Sequence, residues 1–295
     1  MNKKLLIVFS LVATVAVLTQ CTKNDSVVDV NSFKALPLTV TTPLDNPQTT
    51  EKIALGRMLF WDPILSGNKD VACATCHHAS LGYTDNLDLS IGVNGTGLGI
   101  GRHFTSPNGI PFSKRNSLTI INTAFNGIDG NGFSNPSAAA MFFDNRTQSL
   151  ELQSLEPMKT LEEMKGTKIS AAAILDSIAN RLKNLPEYVQ LFNEVFAGDN
   201  GISVQNIGKA IASYERTIIS NHSPYDQYVR GDKTALTTSQ INGMAAFQNS
   251  GCIKCHTGPM FSDYSLHVLS VPDNSKLPTD AGANGTYAFR TPSLR

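Results

Sequence analysis

Two short segments of the chain share one pattern: Cys73-Ala74-Thr75-Cys76-His77 and Cys252-Ile253-Lys254-Cys255-His256 both read C-x-x-C-H. That spacing has a specific chemical use. Two thiols three positions apart can each form a thioether to one vinyl group of the same porphyrin, and the histidine that follows then lies under the ring as an iron ligand. Zinc fits less well, because a ribbon site does not set its halves on either side of more than half a chain or put a histidine directly after each pair. A thioredoxin-like redox pair needs a strand-helix-strand context that the flanking residues lack. The motifs therefore point to two covalently bound haems c, one on Cys73 and Cys76 with His77 at its iron, the other on Cys252 and Cys255 with His256. They use four of the five cysteines, which leaves no pair for a structural disulfide.

Cys21 is the fifth. It follows a charged start (Asn2, Lys3, Lys4) and an apolar run from Leu5 to Leu18, the layout of a secretory signal and short of the roughly 20 residues that span a bilayer. The run ends Leu18-Thr19-Gln20-Cys21, similar to a bacterial lipoprotein processing site in which the cysteine becomes the lipid-bearing first residue. Gln20 is unusual at that position, and a plain secreted protein or an uncleaved anchor are the other readings. Residues 1–20 are read as signal peptide and 21–49, rich in Thr, Asn, Asp and Pro, as a flexible tether. Haem c is attached outside the cytoplasm, so leader and motifs agree on the periplasm, with membrane contact through a lipid anchor only. Lys+Arg and Asp+Glu total 24 each, and removing Lys3 and Lys4 leaves 22 against 24. Such a balance offers no bulk attraction to nucleic acid.

A length of 295 residues suggests two domains, which one haem apiece would match. Strict apolar/polar alternation is almost missing, so the fold is expected to be mainly α. Helices are expected at 50–60, stopped by Pro63, at 148–156, ended near Pro157, at 170–183 with Ser170 as cap, at 203–219, and at 238–249. The glycine-rich stretch 90–136 reads as long surface loop. Its alternating glycines at 95–101 lack the G-x-G-x-x-G spacing and a preceding strand, and Asp129-Gly130-Asn131-Gly132 lacks the acids of an EF-hand loop.

The chain also resembles the bacterial di-haem cytochrome c peroxidase family, which includes the methylamine-utilisation maturation enzyme. The resemblance runs over about residues 50–295 in ordered segments: Leu55-Gly56-Arg57-Met58-Leu59-Phe60, Lys114-Arg115-Asn116-Ser117, Ile121-Asn122-Thr123-Ala124-Phe125, Phe142-Phe143-Asp144-Asn145-Arg146, Ala210 to Thr217, Ser223-Pro224-Tyr225-Asp226, Cys255-His256-Thr257-Gly258-Pro259 and Phe289 to Arg295. It implies two cytochrome c-like helical domains, placed at 50–200 and 201–295. It also implies reduction of hydrogen peroxide to water, with electrons from a small donor protein, a monohaem cytochrome c or a cupredoxin. His77 would hold the peroxidatic iron and His256 the electron-accepting one. Glu163 takes the place of the family's distal carboxylate and Gln153 that of its glutamine. Chemically, an acid beside an open iron can carry a proton from one peroxide oxygen to the other, and an amide can orient the bound oxygens. By themselves, Glu162 and Glu163 beside Lys159 and Lys165 read as a solvated charge cluster. The resemblance further implies calcium at Asn116, leaves a homodimer open, and offers Arg57, Arg115 and Arg146 as partners of haem propionates or of surface acids.

Two departures bear on mechanism. Many members carry a histidine after Ile-Gly that caps the peroxidatic iron at rest, where this chain has Ile91-Gly92-Val93. Valine cannot ligate iron, so an open or water-bound site is expected; His103 is the alternative ligand. Phe143 stands where the family places a tryptophan between the haems; it fills the space but is harder to oxidise and has no indole N–H. The second axial ligand of the C-terminal haem is expected beyond Arg295, since Met260 and Met244 are poorly placed, and the chain reads as C-terminally truncated. A pure electron-transfer di-haem cytochrome, and an oxidase acting on a protein or organic substrate, are the rival functions.

Overall fold

The computed structural model describes residues 28–29, 32–198, 201–272 and 277–295. The leader and Cys21 lie outside the described residues. Among these are nine α-helices: α1 Thr50–Trp61, α2 Cys73–Cys76, α3 Leu150–Gln153, α4 Glu156–Lys159, α5 Ile174–Lys183, α6 Pro186–Val195, α7 Val204–Glu215, α8 Pro224–Val229 and α9 Thr238–Asn249. Six two-residue strands form three antiparallel ladders, β1 Gly95–Thr96 with β2 His103–Phe104, β3 Ala140–Met141 with β4 Thr147–Gln148, and β5 Leu266–His267 with β6 Phe289–Arg290. The rest is short 3-10 turns, one π-helical turn and irregular chain. No helix of the described residues is long and apolar enough to cross a membrane.

Two helices frame the main core. Thr49 caps α1 by accepting from the Lys52 N–H, and Ser203 caps α7 by accepting from the Asn206 N–H, each satisfying a donor the first turn leaves open. The helices cross so closely that a methyl group at Gly56 would lie 1.9 Å from the carbonyl oxygen of Ala210. Glycine is required there because only hydrogen fits. Around the crossing Leu55, Leu59, Phe60, Ile207, Ala210 and Ile211 bury themselves together with Ile178, Leu182 and Phe192 of α5 and α6. Truncating Phe60, which is fully buried, would remove about 3–5 kcal/mol of stability.

Several elements differ from the sequence expectations. The helix expected at 148–156 is broken at Ser154 and Leu155, and Pro157 sits in the first turn of α4 instead of ending a helix. Proline is tolerated there because the N–H it lacks would have no partner. α5 starts at Ile174, since the Ser170 carbonyl is used to turn the chain by accepting from the N–H groups of Ala173 and Ile174. α7 ends at Glu215, ahead of the expected 219. α6 and α8 were not anticipated; each opens on a proline, and Ser223 with Asp226 forms a capping box on α8. The 90–136 stretch is irregular but not all surface, because Ile91, Val93, Arg102, Asn122 and Phe125 are buried.

Two expectations about organisation are corrected. Residues 32–49 are no free tether: Phe33, Leu36 and Asn46 are buried, the Leu36 N–H donates to Asp226 Oδ1 at 3.1 Å, and Gln48 Nε2 donates to the Ser213 carbonyl at 2.7 Å. Their polar composition reads as solvated, yet their partners lie far along the chain. Likewise α7, on the C-terminal side of an expected boundary at 200/201, contributes Ile207, Ala210 and Ile211 to the core formed by residues 55–218.

Candidate functional site

The first motif is a single helical turn. Ala72 and Thr75 form its capping arrangement, Thr75 Oγ1 accepting from the Ala72 N–H at 3.0 Å, and Ala74 points into the core. That leaves Cys73, Cys76 and His77 on the wall of a cavity of about 670 Å³, within the usual range for a small-molecule or cofactor site. His77 donates from Nδ1 to the Tyr83 carbonyl at 3.2 Å, so the ring is oriented from behind, the usual support of a ligating histidine. Burial holds the imidazole in its neutral, ligating form, against the opposing pull of the Tyr83 carbonyl. Burial also pushes the Cys73 and Cys76 thiols upward. His77 is the one histidine on this wall.

Gln153 and Glu163 face the same cavity, so residues separated in sequence are brought together where the sequence reading needs them. Gln153 ends α3, and α3 is anchored through Glu151. The carboxylate of Glu151 takes a two-pronged bond from Arg216, Nη1 to Oε1 at 2.6 Å and Nη2 to Oε2 at 2.9 Å, with Asn46 Nδ2 donating to Oε1 at 2.7 Å. Burial alone would raise the Glu151 carboxyl; the guanidinium outweighs it and holds the group below the usual carboxylate range.

Glu163 lies in a single π-helical turn, Leu161–Lys165, closed by the Gly166 N–H donating to the Leu161 carbonyl at 3.0 Å. Such turns are rare and frequently mark functional sites. The lysines that suggested a solvated cluster are used elsewhere: Lys159 pairs with Glu156 at 2.6 Å, and Lys165 Nζ donates to the Gly166 carbonyl at 2.8 Å. Glu163 is left in the cavity wall, and burial, with the nearby Glu162 charge, raises its carboxyl to about 7 while Arg146 pulls the other way. Gly92 of the Ile91-Gly92-Val93 segment lies directly against this turn. A methyl group there would come within 2.1 Å of the Glu163 carbonyl oxygen. Val93 is buried in the core, while His103 is exposed with its Nδ1 on the Gly101 carbonyl; neither lines the cavity.

The remaining candidates divide. Phe143 is on the cavity wall, its carbonyl accepting from the Arg290 N–H at 2.6 Å. Arg115 is committed to Asp280, through Nε at 2.6 Å and Nη2 at 2.9 Å, and to Asp144 at 3.0 Å. Arg146 pairs with Asp144 at 2.8 Å and stacks on Phe142. Both line the cavity, whereas Arg57 is exposed on α1 and does not. Asn116 is exposed at the cavity rim. One wall residue was missed in the sequence: Glu215, only 4% exposed, has no hydrogen-bond partner for Oε2. Burial raises its carboxyl to about 8, Arg216 opposing and Glu151 adding to the rise. An acid inside the Tyr214-Glu215-Arg216 run carries no local signal of burial.

The second motif has different surroundings. It is a 3-10 turn, Cys252–Lys254, entered through Gly251 in the left-handed region, with Cys252 exposed. His256 Nδ1 donates to the Phe261 carbonyl at 2.9 Å, the same support as at His77. Cys252, Cys255 and His256 do not line the large cavity. His267 Nε2 and Asp263 Oδ2 pair at 2.8 Å, and with Cys255 Sγ their donor atoms lie within 4.8 Å of one another. Met260 is buried with Leu36, Phe125 and Ile128, and Met244 with Phe33 and Tyr228.

A helical chain with two C-x-x-C-H motifs, one of them on the wall of a cavity that also holds a glutamine and a raised glutamate, has the features of a di-haem cytochrome. The family described as "Di-haem cytochrome c peroxidase" matches residues 50–234, and the chain belongs to that family. Among curated relatives, the cytochrome-c peroxidase IdrP1 of Pseudomonas sp. (strain SCT) is 37% identical over 79% of this chain and 53% of its own length. The methylamine utilization protein MauG of Methylorubrum extorquens is 32% identical over 88% and 65%, and the cytochrome c551 peroxidase of Pseudomonas aeruginosa 31% identical over 89% and 70%. The chain thus spans about half to two thirds of the first of these relatives. Among solved structures, a MauG-like protein associated with microbial copper homeostasis is similar with a TM-score of 0.68 at 26% identity, covering 89% of this chain and 73% of that one. The diheme peroxidase BthA of Burkholderia thailandensis has a TM-score of 0.63 at 22% identity over 85% and 66%, a likeness of fold alone.

Proposed function

We propose that this chain carries two covalent haems c, on Cys73/Cys76 with His77 and on Cys252/Cys255 with His256, and reduces hydrogen peroxide to water at the first. The two haem-bearing units divide after Ile218, because α7 packs with the first. The residues present suit the group: two thiols and an oriented imidazole share the wall of a cavity of about 670 Å³. Bound haem supplies the redox-active iron on which the two-electron reduction depends. The rest falls to the chain. Peroxide, two protons and two electrons give two waters, so protons must move within the cavity. Glu163, as carboxylate, accepts the proton of one peroxide oxygen and returns it to the oxygen that leaves. Gln153 orients the oxygens by hydrogen bonding. The Val93 side chain has no donor atom and is buried in the core, so it would offer a haem held by His77 no ligand. A small periplasmic donor, a monohaem cytochrome c or cupredoxin, would supply the electrons; Cys252, Cys255 and His256 would hold the haem that receives them, and Phe143 would line the way to the first site.

The observation that carries this reading is Glu163, a carboxyl raised to about 7 on the same wall as the first motif. Anaerobic stopped-flow mixing of the reduced holoprotein with peroxide tests it. Oxidation of the haems with one peroxide consumed per two electrons is expected; haems left reduced would make the chain an electron-transfer cytochrome. Donor oxidation without peroxide would favour the oxidase reading. Two finer parts of the proposal have their own checks. Cys21 as a lipidated first residue requires a diacylglyceryl mass on the mature N-terminus, and calcium at Asn116 requires a loss of the ion in Asn116→Ala that metal analysis detects.

A further inference from the structure

We propose that Arg102 is a positioning residue that locks the Ile91–Val93 segment against the Leu161–Lys165 turn and so fixes Glu163 in the cavity. This rests on the reading of Glu163 as proton carrier. Arg102 is 8% exposed, yet its guanidinium hydrogen bonds go to backbone carbonyls and not to a carboxylate: Nε to Ile91, Nη2 to Gly92 at 2.7 Å, and Nη1 to Gly97 at 3.0 Å. Asp70 and Asp85 act on it only as neighbouring charges. Burying a cation is costly unless its donors are satisfied, and here the fork geometry of arginine gathers three carbonyls that a lysine ammonium would not span.

The segment so gathered is the one that touches the catalytic turn. The Val93 N–H donates to the Glu162 carbonyl at 3.3 Å, and the Gly92 backbone is pressed on the carbonyls of Glu162 and Glu163, a methyl group there falling 2.4 Å and 2.1 Å from their oxygens. Force therefore passes from Arg102 through the 91 and 92 carbonyls to the backbone of Glu163. It does not pass as a field: the charges that act on the Glu163 carboxyl are Glu162, Arg146 and Glu156.

In Arg102→Ala holoprotein, the Val93 amide should lose protection from hydrogen exchange, and the peroxide step should slow about 10- to 100-fold, as an ångström of misplacement costs. The pH midpoint of that step should move downward as Glu163 gains water, while haem content and spectrum stay as in wild type. Millimolar guanidinium should restore part of the rate, and Arg102→Lys should not. Unchanged Val93 protection together with an unchanged rate and midpoint in Arg102→Ala overturns the proposal. If that variant fails to take up haem, Arg102→Met, which keeps the aliphatic stem and donates to no carbonyl, carries the same readouts with the same criteria. Full activity of Glu163→Gln in the same assay would instead remove the underlying reading, whatever Arg102 does.

Discussion

Around Cys73–His77 the chain closes a cavity, with Ala74 in the core and Gln153, Glu163 and Glu215 on the wall. Around Cys252–His256 it leaves the first cysteine exposed and draws no such wall. Yet the two histidines are held alike, each by a hydrogen bond from Nδ1 to a backbone carbonyl five or six residues on. The motif and the histidine support are thus shared, and what differs between the two sites is the ring of residues around them; on the proposed function, that ring is what would make the first site the reactive one. Burial does most of this work, because it raises acids that would be ionised and inert at the surface into the range where a proton can be held and released.

The largest break of the comparison comes from the ligands themselves. In His77→Gly the peroxide reaction should fall to background while the second haem still accepts electrons. In His256→Gly the reverse is expected: a chemically reduced first haem still consumes peroxide, and the small donor protein no longer drives turnover. Stopped-flow spectra of the two variants check this, and equal losses in both assays would remove the division of labour.

A smaller effect concerns the acids on the first wall. Glu163 and Glu215 are raised to about 7 and about 8 from 4.5, so the folded chain holds their protons where the unfolded chain has lost them. The stability they contribute is full below the ordinary glutamate range, declines as pH rises, and is gone above about 8. The thermal midpoint should therefore fall between pH 5 and 8, and Glu215→Gln should flatten that fall without slowing peroxide, since the native group is already neutral. A midpoint that rises over this window would contradict the raised carboxyls of both acids.

Much of this contrast was legible in the sequence. The C-x-x-C-H spacing names its chemistry locally, the capped helices α1 and α9 follow from short-range signals, and Glu163 and Gln153 came from the order of family segments. What was not legible depends on partners distant in sequence. Residues 32–49 look like a tether because their composition is polar, but Asn46, Gln48 and Leu36 are held by groups on α3, α7 and α8. α7 follows a plausible boundary, but its apolar face is complementary to α1. Glu215 and Arg102 look like ordinary surface charges, since no local pattern reports that a carboxyl will be buried or that three carbonyls will converge on a guanidinium.

The central claim, that Glu163 on the cavity wall moves the proton of peroxide at the first site, is tested most directly by the single-turnover rate of peroxide reduction measured against pH in wild type and Glu163→Gln. Because the proton acceptor must be ionised, the wild-type rate should climb through a midpoint near 7. Glu163→Gln should lie about 10²- to 10⁴-fold lower, without that limb and with its haem spectrum intact. A variant that keeps the wild-type rate and the same rise with pH would contradict the account.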